Sequence, residues 1–240
     1  MNYKISVASL MLFFIPLSMR AQKISLGSCI TKDGGQYKGE MVSGKPQGKG
    51  ATVFPNGDTY EGNYLKGKRE GYGVYTFADG EKYEGQWMQD QQHGKGTFYF
   101  LNNNKYVGLW FRDYQHGHGV MYYYNGDMYD GDWYKDKRQG RGTYTYAGGA
   151  YYRGQWMNDM KNGTGFFNWG DGTTYEGSWV DNQRSGKGTF KYADGDVYVG
   201  DWKDDIQHGK GIYKFHNGDT YEGDYVQGER TGEGIFRSAN

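Results

Sequence analysis

The histidines are the side chains whose spacing first suggests a metal site in this chain. His93, His116 and His208 share one place in a repeated pattern, each directly before a glycine. His93 and His116 are one repeat apart, which puts them ~10 Å apart if each repeat contributes two strands to a sheet. A zinc ion with ligand bonds of ~2 Å cannot reach both. His116 and His118 offer two ligands but lack nearby acids, so we interpret the histidines as turn residues and predict no metal site.

Glycine pairs and acidic turns suggest two further kinds of ligand site. Pairs such as Gly94-Lys95-Gly96 have the look of a phosphate loop, but they belong to predicted strands, and no helix follows to supply an amide-rich end. Asp194-Gly195-Asp196 hints at calcium, yet it does not match the nine-residue calcium repeat, and ordinary turn chemistry accounts for it. No Ser, His and Asp constellation stands outside the repeat. We therefore predict no catalytic residue, no cofactor and no enzymatic activity.

The repeat itself is the dominant feature of the chain. Nine tyrosines lie 23 residues apart without interruption, and each has a glycine 2, 11 and 13 residues after it. A fixed period of this length is typical of a repeat architecture. The nine are Tyr37, Tyr60, Tyr83, Tyr106, Tyr129, Tyr152, Tyr175, Tyr198 and Tyr221.

Aromatic residues within each unit follow the period of a β-strand. With the tyrosine numbered as position 0, position 4 is aromatic in eight of nine units, position 15 in seven and position 17 in eight. Spacing by twos favours strands over helices. Each unit is predicted to contain two strands, at positions 0 to 5 and 11 to 17.

The turn between units fixes the predicted register. Position 20 is glycine in seven of eight units and Asn103 in the other, and both residue types tolerate a left-handed backbone. A three-residue loop that ends there puts positions 15 and 17 on the same face as the next tyrosine. Position 15 then pairs with the next tyrosine, position 13 with the glycine two residues after it, and position 11 with position 4. Glycines in such rows leave room for a ring to lie over the backbone.

These features predict an all-β fold, an elongated single-layer antiparallel sheet of nine hairpin repeats. Aromatic rings form a thin core on one face. The other face carries acids at position 1 and bases at position 12, which reads as a solvated, charge-laddered surface.

Two units carry a family resemblance most clearly. Tyr83-Glu84-Gly85-Gln86-Trp87 followed by Gly94-Lys95-Gly96, and the same pattern from Tyr175 to Gly188, resemble MORN repeats (membrane occupation and recognition nexus). The structural positions of the repeat would be Tyr83, Gly85, Trp87, Gly94 and Gly96. The resemblance covers about residues 32–236. It implies an elongated antiparallel sheet that acts as a scaffold or interaction module, often beside membranes, with direct lipid binding an open question.

The first residues suggest export. Lys4, an apolar run from Ile5 to Leu17 and Arg20-Ala21 resemble a cleavable leader of residues 1–21, directing the chain to the periplasm or cell surface. Residues 22–36 would form a half repeat that caps an array of residues 37–240. The segment before Cys29 also resembles a loose lipoprotein signal, although Cys29 falls in register at a strand position. Without the leader the net charge is near −2, which gives no reason to expect nucleic acid as a partner.

Unit four departs from the pattern of the charged face. Six apolar or aromatic side chains of equal parity fall there and on the adjoining strands: Tyr99, Val107, Leu109, Phe111, Val120 and Tyr122. An apolar patch on a soluble protein tends to mark an interaction surface. Sequence drift that only adds strand propensity, or burial of the patch by twist of the sheet, are the alternatives.

The sequence therefore favours a non-enzymatic scaffold with a protein partner. The second hypothesis is a module that stacks a carbohydrate or phospholipid headgroup on its aromatic face, and buried aromatic rows would disfavour it. Open strand edges also predict a homo-oligomer.

Overall fold

The computed structural model describes residues 23–239, and the predicted leader of residues 1–21 lies outside them. The described chain is one antiparallel sheet in which each strand pairs with the strands before and after it in sequence. The predicted all-β, single-layer fold is confirmed. The strands are β1 Ser25–Ile30, β2 Gln36–Val42, β3 Lys45–Val53, β4 Thr59–Leu65, β5 Lys68–Thr76, β6 Lys82–Met88, β7 Gln91–Tyr99, β8 Lys105–Phe111, β9 Tyr114–Tyr122, β10 Met128–Tyr134, β11 Lys137–Thr145, β12 Tyr151–Met157, β13 Met160–Asn168, β14 Thr174–Val180, β15 Gln183–Lys191, β16 Val197–Lys203, β17 Ile206–Lys214, β18 Thr220–Val226 and β19 Glu229–Arg237.

Each unit is a hairpin closed by a two-residue turn. In unit three, Met88 pairs with Gln91 across Gln89 and Asp90, whose φ angles of 52° and 73° are both left-handed. Two left-handed residues define the type I′ turn, whose twist matches that of the flanking strands. The second strand therefore spans positions 8 to 16, and the predicted span of 11 to 17 was wrong because the turn is tighter than the sequence suggested.

A bulge interrupts every hairpin. Gly85 pairs with Gly96, but Trp87 pairs with Gln92, so three residues of β7 oppose one residue of β6. Gly94 lies in this bulge with a left-handed φ of 61°, as do its equivalents in the other eight units. Glycine is required there because a side chain would strain that backbone. The prediction that this glycine lies inside a strand is confirmed, but the bulge was not predicted.

The loop between units agrees with the prediction. The Phe77 N–H donates to the Glu81 carbonyl and the Gly80 N–H to the Phe77 carbonyl, both at 2.9 Å, which encloses residues 78–80. Gly80, the last of the three, has a φ of 102°. Asn103 takes the same role with a φ of 63°. The predicted register is confirmed: in β5 and β6 the partners are Tyr75 and Tyr83, Gly73 and Gly85, and Gly71 and Trp87.

The core of each unit is one tyrosine ring lying over a pair of glycines. Tyr83 has no exposed surface, and its ring covers Gly85 and Gly96, where an added Cβ would lie under 3.0 Å from its atoms. Its hydroxyl donates to the Gln86 carbonyl at 2.9 Å. Trp87 stands edge-on to this ring, with centroids 5.2 Å apart and planes at 89°. Edge-to-face contacts of this kind add to the burial energy.

The same tryptophan joins one unit to the preceding one. Trp87 also stands edge-on to Tyr60 at 5.3 Å, and its indole N–H donates to the Gly73 carbonyl at 3.2 Å. All six tryptophans at position 4 donate in this way, at 3.1 to 3.3 Å. The aromatic rows therefore hold neighbouring units together and also form the core within each unit.

The array is preceded by a single strand. In β1, Cys29 pairs with Tyr37 and Gly27 with Gly39, which are the partners that positions 15 and 13 have in later units. Cys29 is half-buried against the aromatic core.

Substitution of the position-13 glycine tests the ring-over-glycine packing. A Cβ at Gly119 would lie under 3.0 Å from the Tyr106 ring, and one at Gly142 would meet Tyr129 equally closely. We expect Gly119→Val and Gly142→Val each to lower the free energy of unfolding by at least ~1–3 kcal/mol. Gly148→Val is the control, because Gly148 has open space around it and no left-handed φ. Equal thermal melts for all three variants would contradict the packing account.

Candidate functional site

The candidate site lies on the face opposite the aromatic core, which we call the open face. It consists of positions 1, 3 and 5 of each first strand and positions 8 to 16, in steps of two, of each second strand. Five of the six predicted patch residues are exposed there, Tyr99, Val107, Leu109, Phe111 and Tyr122, with exposed fractions between 37 and 44%, and Val120 is half-buried. We call these six residues the unit-four patch.

The strand register makes this patch contiguous. Val107 pairs directly with Val120, and Lys105 lies between Tyr99 and Tyr122 as the partner of both. The Lys105 ammonium is 4.6 Å from the centroid of the Tyr122 ring. The six side chains therefore form one surface, with a cation set among its rings.

The structure adds residues that the sequence argument missed. Tyr114, 46% exposed, pairs with Phe111 across the type I′ turn. His93 and His116 lie on either side of Phe111, with ring centroids 5.3 and 5.6 Å away. They are strand residues, so their interpretation as turn residues was wrong. All three were missed because the second strand starts three residues earlier than predicted, and a search for exposed residues beside a two-residue turn could have found them.

The Leu109 side chain cannot accept the hydrogen bond that several other position-3 side chains accept from a backbone N–H of the bulge. At position 3 of unit three, Gln86 accepts the backbone N–H of Lys95 at 2.9 Å. Glu40, Asp132, Gln155 and Asp201 do the same in their own units, at 2.7 to 3.1 Å. Leu109 has no polar atom, so the corresponding N–H of His118 has no such acceptor. Unit four thus places an exposed leucine where other units place a hydrogen-bond acceptor.

A shallow groove runs through the patch. It has a volume of about 490 Å³, and its floor is the paired glycines of units three and four. Similar grooves continue on both sides of it along the open face. Its walls are Tyr72, Glu84, Lys95, Val107, Leu109 and His118.

The aromatic face is covered by a row of side chains at position 9. The Arg138 guanidinium lies 4.5 Å from the Trp156 centroid and 5.5 Å from the Tyr144 centroid, and it is held by Asp159 at 3.2 Å. Arg69 and Arg184 make the same contacts in their units. Cation–π contacts of this kind stabilise the face and shield it from water. This row was not predicted from the sequence, because position 9 lies outside the predicted second strand of positions 11 to 17.

One member of this row lacks its acid. Lys161 lies 4.6 Å from the Trp179 centroid, but Asn182 stands where Arg69, Arg138 and Arg184 each have an aspartate, and it accepts the Lys161 backbone N–H at 2.8 Å. Burial among the rings lowers the pKa of the Lys161 ammonium.

No group of three or more His, Cys, Asp or Glu side chains among residues 23–239 lies close enough to hold a metal ion. His118 lies 3.2 Å from Asp130, an acid on the next strand that the sequence argument overlooked. Within the same residues, no helix has the length and apolar character to cross a membrane.

The repeats match a known family in unbroken phase. The MORN repeat model matches residues 37–59, 60–82, 83–105, 106–128, 129–151, 152–174, 175–197, 198–220 and 221–240. The chain belongs to the MORN repeat family. No curated protein is similar enough to this MORN chain to be matched with it.

Solved structures similar to this MORN array share only remote sequence identity. The TCP10 domain of Danio rerio CPAP is 14% identical, with 89% of this chain and 100% of that chain covered and a TM-score of 0.48. The same domain in complex with a peptide of Danio rerio STIL has 14% identity, coverage of 83% and 84%, and a TM-score of 0.46. The Drosophila melanogaster SAS-4 TCP domain, in complex with a proline-rich motif of Ana2, has 16% identity, coverage of 60% and 77%, and a TM-score of 0.39.

The tyrosine core of the MORN array predicts a response to alkaline pH. Burial raises the pKa of Tyr37, Tyr64 and Tyr175 from 10.0 to about 12. A pKa raised in the folded state means that the neutral phenols stabilise the fold fully below pH 10, and that this stability is lost as pH rises from 10 through 12. We expect tyrosinate absorbance to show a late phase that coincides with loss of the near-ultraviolet circular dichroism. Ionisation of every tyrosine near pH 10 with that signal intact would contradict the burial described here.

Proposed function

We propose that this chain is a non-enzymatic interaction scaffold that docks a protein partner on its open face. The observation that carries the proposal is the exposure of the unit-four patch, in which Val107 and Leu109 hold positions 1 and 3, where most other units have charged or polar residues. Apolar patches of this kind on soluble proteins tend to be binding surfaces. Repeat arrays are suited to such a role because they present long surfaces of regularly spaced contacts.

The non-enzymatic part of the proposal rests on the structural roles of the polar residues. Asp159 holds Arg138 and accepts its backbone N–H, and Asp58 accepts the hydroxyl of Tyr75 and the N–H of Ala78. The strongly raised tyrosine pKa values have burial as their first cause. Packing and turn hydrogen bonds thus explain these aspartates and these raised tyrosine pKa values, which could otherwise indicate an active site.

Binding of a carbohydrate or phospholipid headgroup to the aromatic face is the weaker proposal. Eight of the nine tyrosines at position 0 and all six tryptophans at position 4 are buried beneath the position-9 row, so few ring faces are open to stacking. Trp169 is the most exposed tryptophan of the described residues, at 37%. A ligand of this type would bind at such exposed rings, which also include Phe236 at 57%.

Export to the periplasm or cell surface is part of the proposal and rests on the sequence of residues 1–21. A lipid anchor at Cys29 is the competing placement. Lipoprotein processing cleaves directly before the modified cysteine, which would remove Ser25–Ser28 and most of β1. The pairing of β1 with β2 supports export without that anchor.

A double substitution in the patch tests the docking role. Leu109→Asp with Phe111→Ser changes two exposed side chains, so we expect the melting temperature to stay close to the parent value and partner capture to fall. Ser178→Asp with Val180→Ser is the matched control, because these residues hold positions 3 and 5 of unit seven. Proteins retained from the source cells by parent, variant and control are compared by quantitative mass spectrometry. Unfolding of the patch variant would show that the patch is core, and unchanged retention would remove its docking role.

Tryptophan fluorescence distinguishes the two proposals. We expect no saturable change when glycans or phospholipid vesicles are added, because the inner tryptophans are already packed. A saturable shift that Trp169→Ala abolishes would support the headgroup-binding alternative instead.

A further inference from the structure

The unit-four patch is bordered by cations that lack acidic partners. Lys95, Lys105 and Arg112 have no carboxylate of the described residues within 4.0 Å. In residues 91–122, Asp113 is the one acidic residue against these three cations. This segment therefore carries an excess of positive charge, whereas the whole chain is neutral, and the adjoining strands contribute Glu84, Asp130 and Asp132 to the open face.

The acids near the patch are already engaged. Glu84 lies 3.1 Å from Lys82, and Asp130 lies 3.2 Å from His118. Asp113 accepts a backbone N–H of β7 at 2.7 Å, within the turn contacts that join neighbouring units. None of the three carboxylates lies within 4.0 Å of the side-chain nitrogens of Lys95, Lys105 or Arg112. These three cations can therefore pair with a carboxylate from another molecule.

The backbone adds a donor to this surface. The bulge N–H of His118 lacks the side-chain acceptor that five other units provide, because Leu109 replaces it. His118 is exposed, so water can bond this donor in the free chain, and an acceptor of a bound partner can replace that water. A carboxylate or a peptide carbonyl is such an acceptor.

We propose that the unit-four patch binds an extended, acidic segment of a partner protein, with apolar side chains in the groove between Val107 and Leu109. Carboxylates of the segment pair with Lys95, Lys105 and Arg112, and one of its oxygens accepts the His118 N–H. This inference rests on the proposed docking function and adds the chemistry of the partner. Complementary charge of this type speeds association and selects among partners.

Two other occupants fit the charges less well. A second copy of the chain, docked patch against patch, would set the same unpaired cations against each other. A flat anionic membrane would reach beyond the patch and meet acids of the open face, such as Glu61 on one side and Glu176 on the other, interspersed with bases such as Lys49 and Lys187. A narrow acidic segment avoids both conflicts.

The first experiment selects peptides from a random-sequence display library on the immobilised full chain. A parallel selection uses Leu109→Gln with Phe111→Gln, whose fold is checked by circular dichroism. We expect the parent to enrich peptides that combine Asp or Glu with apolar residues, and the variant to lose them. Failure of the parent to enrich any peptide that depends on these two residues overturns both this inference and the docking function.

The second experiment measures the affinity of an enriched peptide for charge variants. Lys105→Gln with Arg112→Gln should weaken binding about tenfold or more, and added salt should reduce the difference. Lys49→Gln with Lys68→Gln is the control, because it removes the same charge from the open face outside the patch. Patch-dependent peptides that are neutral or basic, or an equal effect of the two charge variants, would overturn the acidic partner and leave the docking function standing.

The alternative occupants have their own readouts. Sedimentation of the parent and of the Leu109→Gln, Phe111→Gln variant tests the second copy, and co-sedimentation with vesicles of phosphatidylserine and phosphatidylcholine tests the membrane. We expect neither to depend on the patch. Self-association or vesicle binding that this variant abolishes would assign the patch to that occupant and overturn the inference.

Discussion

The contact between a tyrosine ring and two paired glycines is the interaction on which the rest of the structure depends. In unit three, Tyr83 lies flat over Gly85 and Gly96, and this closeness is available only because neither residue has a Cβ. Trp87 packs edge-to-face against this ring, and it packs in the same way against Tyr60 of the preceding unit. A single sheet thus obtains a buried core without a second layer, which leaves its other face free.

Much of this arrangement follows from spacing alone. The requirement that positions 15 and 17 lie on the same face as the next tyrosine predicted the three-residue loop. That loop predicted the pairing of Tyr75 with Tyr83. The bulge at Gly94 could not be read from the sequence, because a glycine two residues before another glycine fits a regular strand equally well. Because the bulge and the tight turn were not predicted, position 9 fell outside the predicted strand. The row of position-9 side chains over the aromatic face, such as Arg138, is therefore recognised only from the tertiary contacts.

The candidate site was likewise predictable from the sequence only in part. Parity placed Val107, Leu109 and Phe111 together on one face, and the structure shows that they are exposed and contiguous. The isolation of Lys105 and Arg112 from acids depends on how neighbouring side chains pair, which sequence spacing does not specify. Unit four keeps the tyrosine, glycines and tryptophan of the core, has the buried Met121 where most units have an aromatic ring, and departs most on the face that the core does not use. The strands, turn and bulge of unit four therefore match those of the other units, and under the proposed function the departure on the open face serves binding.

The free energy of unfolding of Leu109→Gln tests this division most directly. Glutamine at this position should accept the His118 N–H as Gln86 accepts that of Lys95, and the reciprocal change Gln86→Leu removes that bond. The account predicts that Leu109→Gln is as stable as the parent or more stable by up to about 1 kcal/mol, and that Gln86→Leu is less stable by a similar amount. A clear loss of stability in Leu109→Gln would contradict it, because Leu109 would then serve the fold.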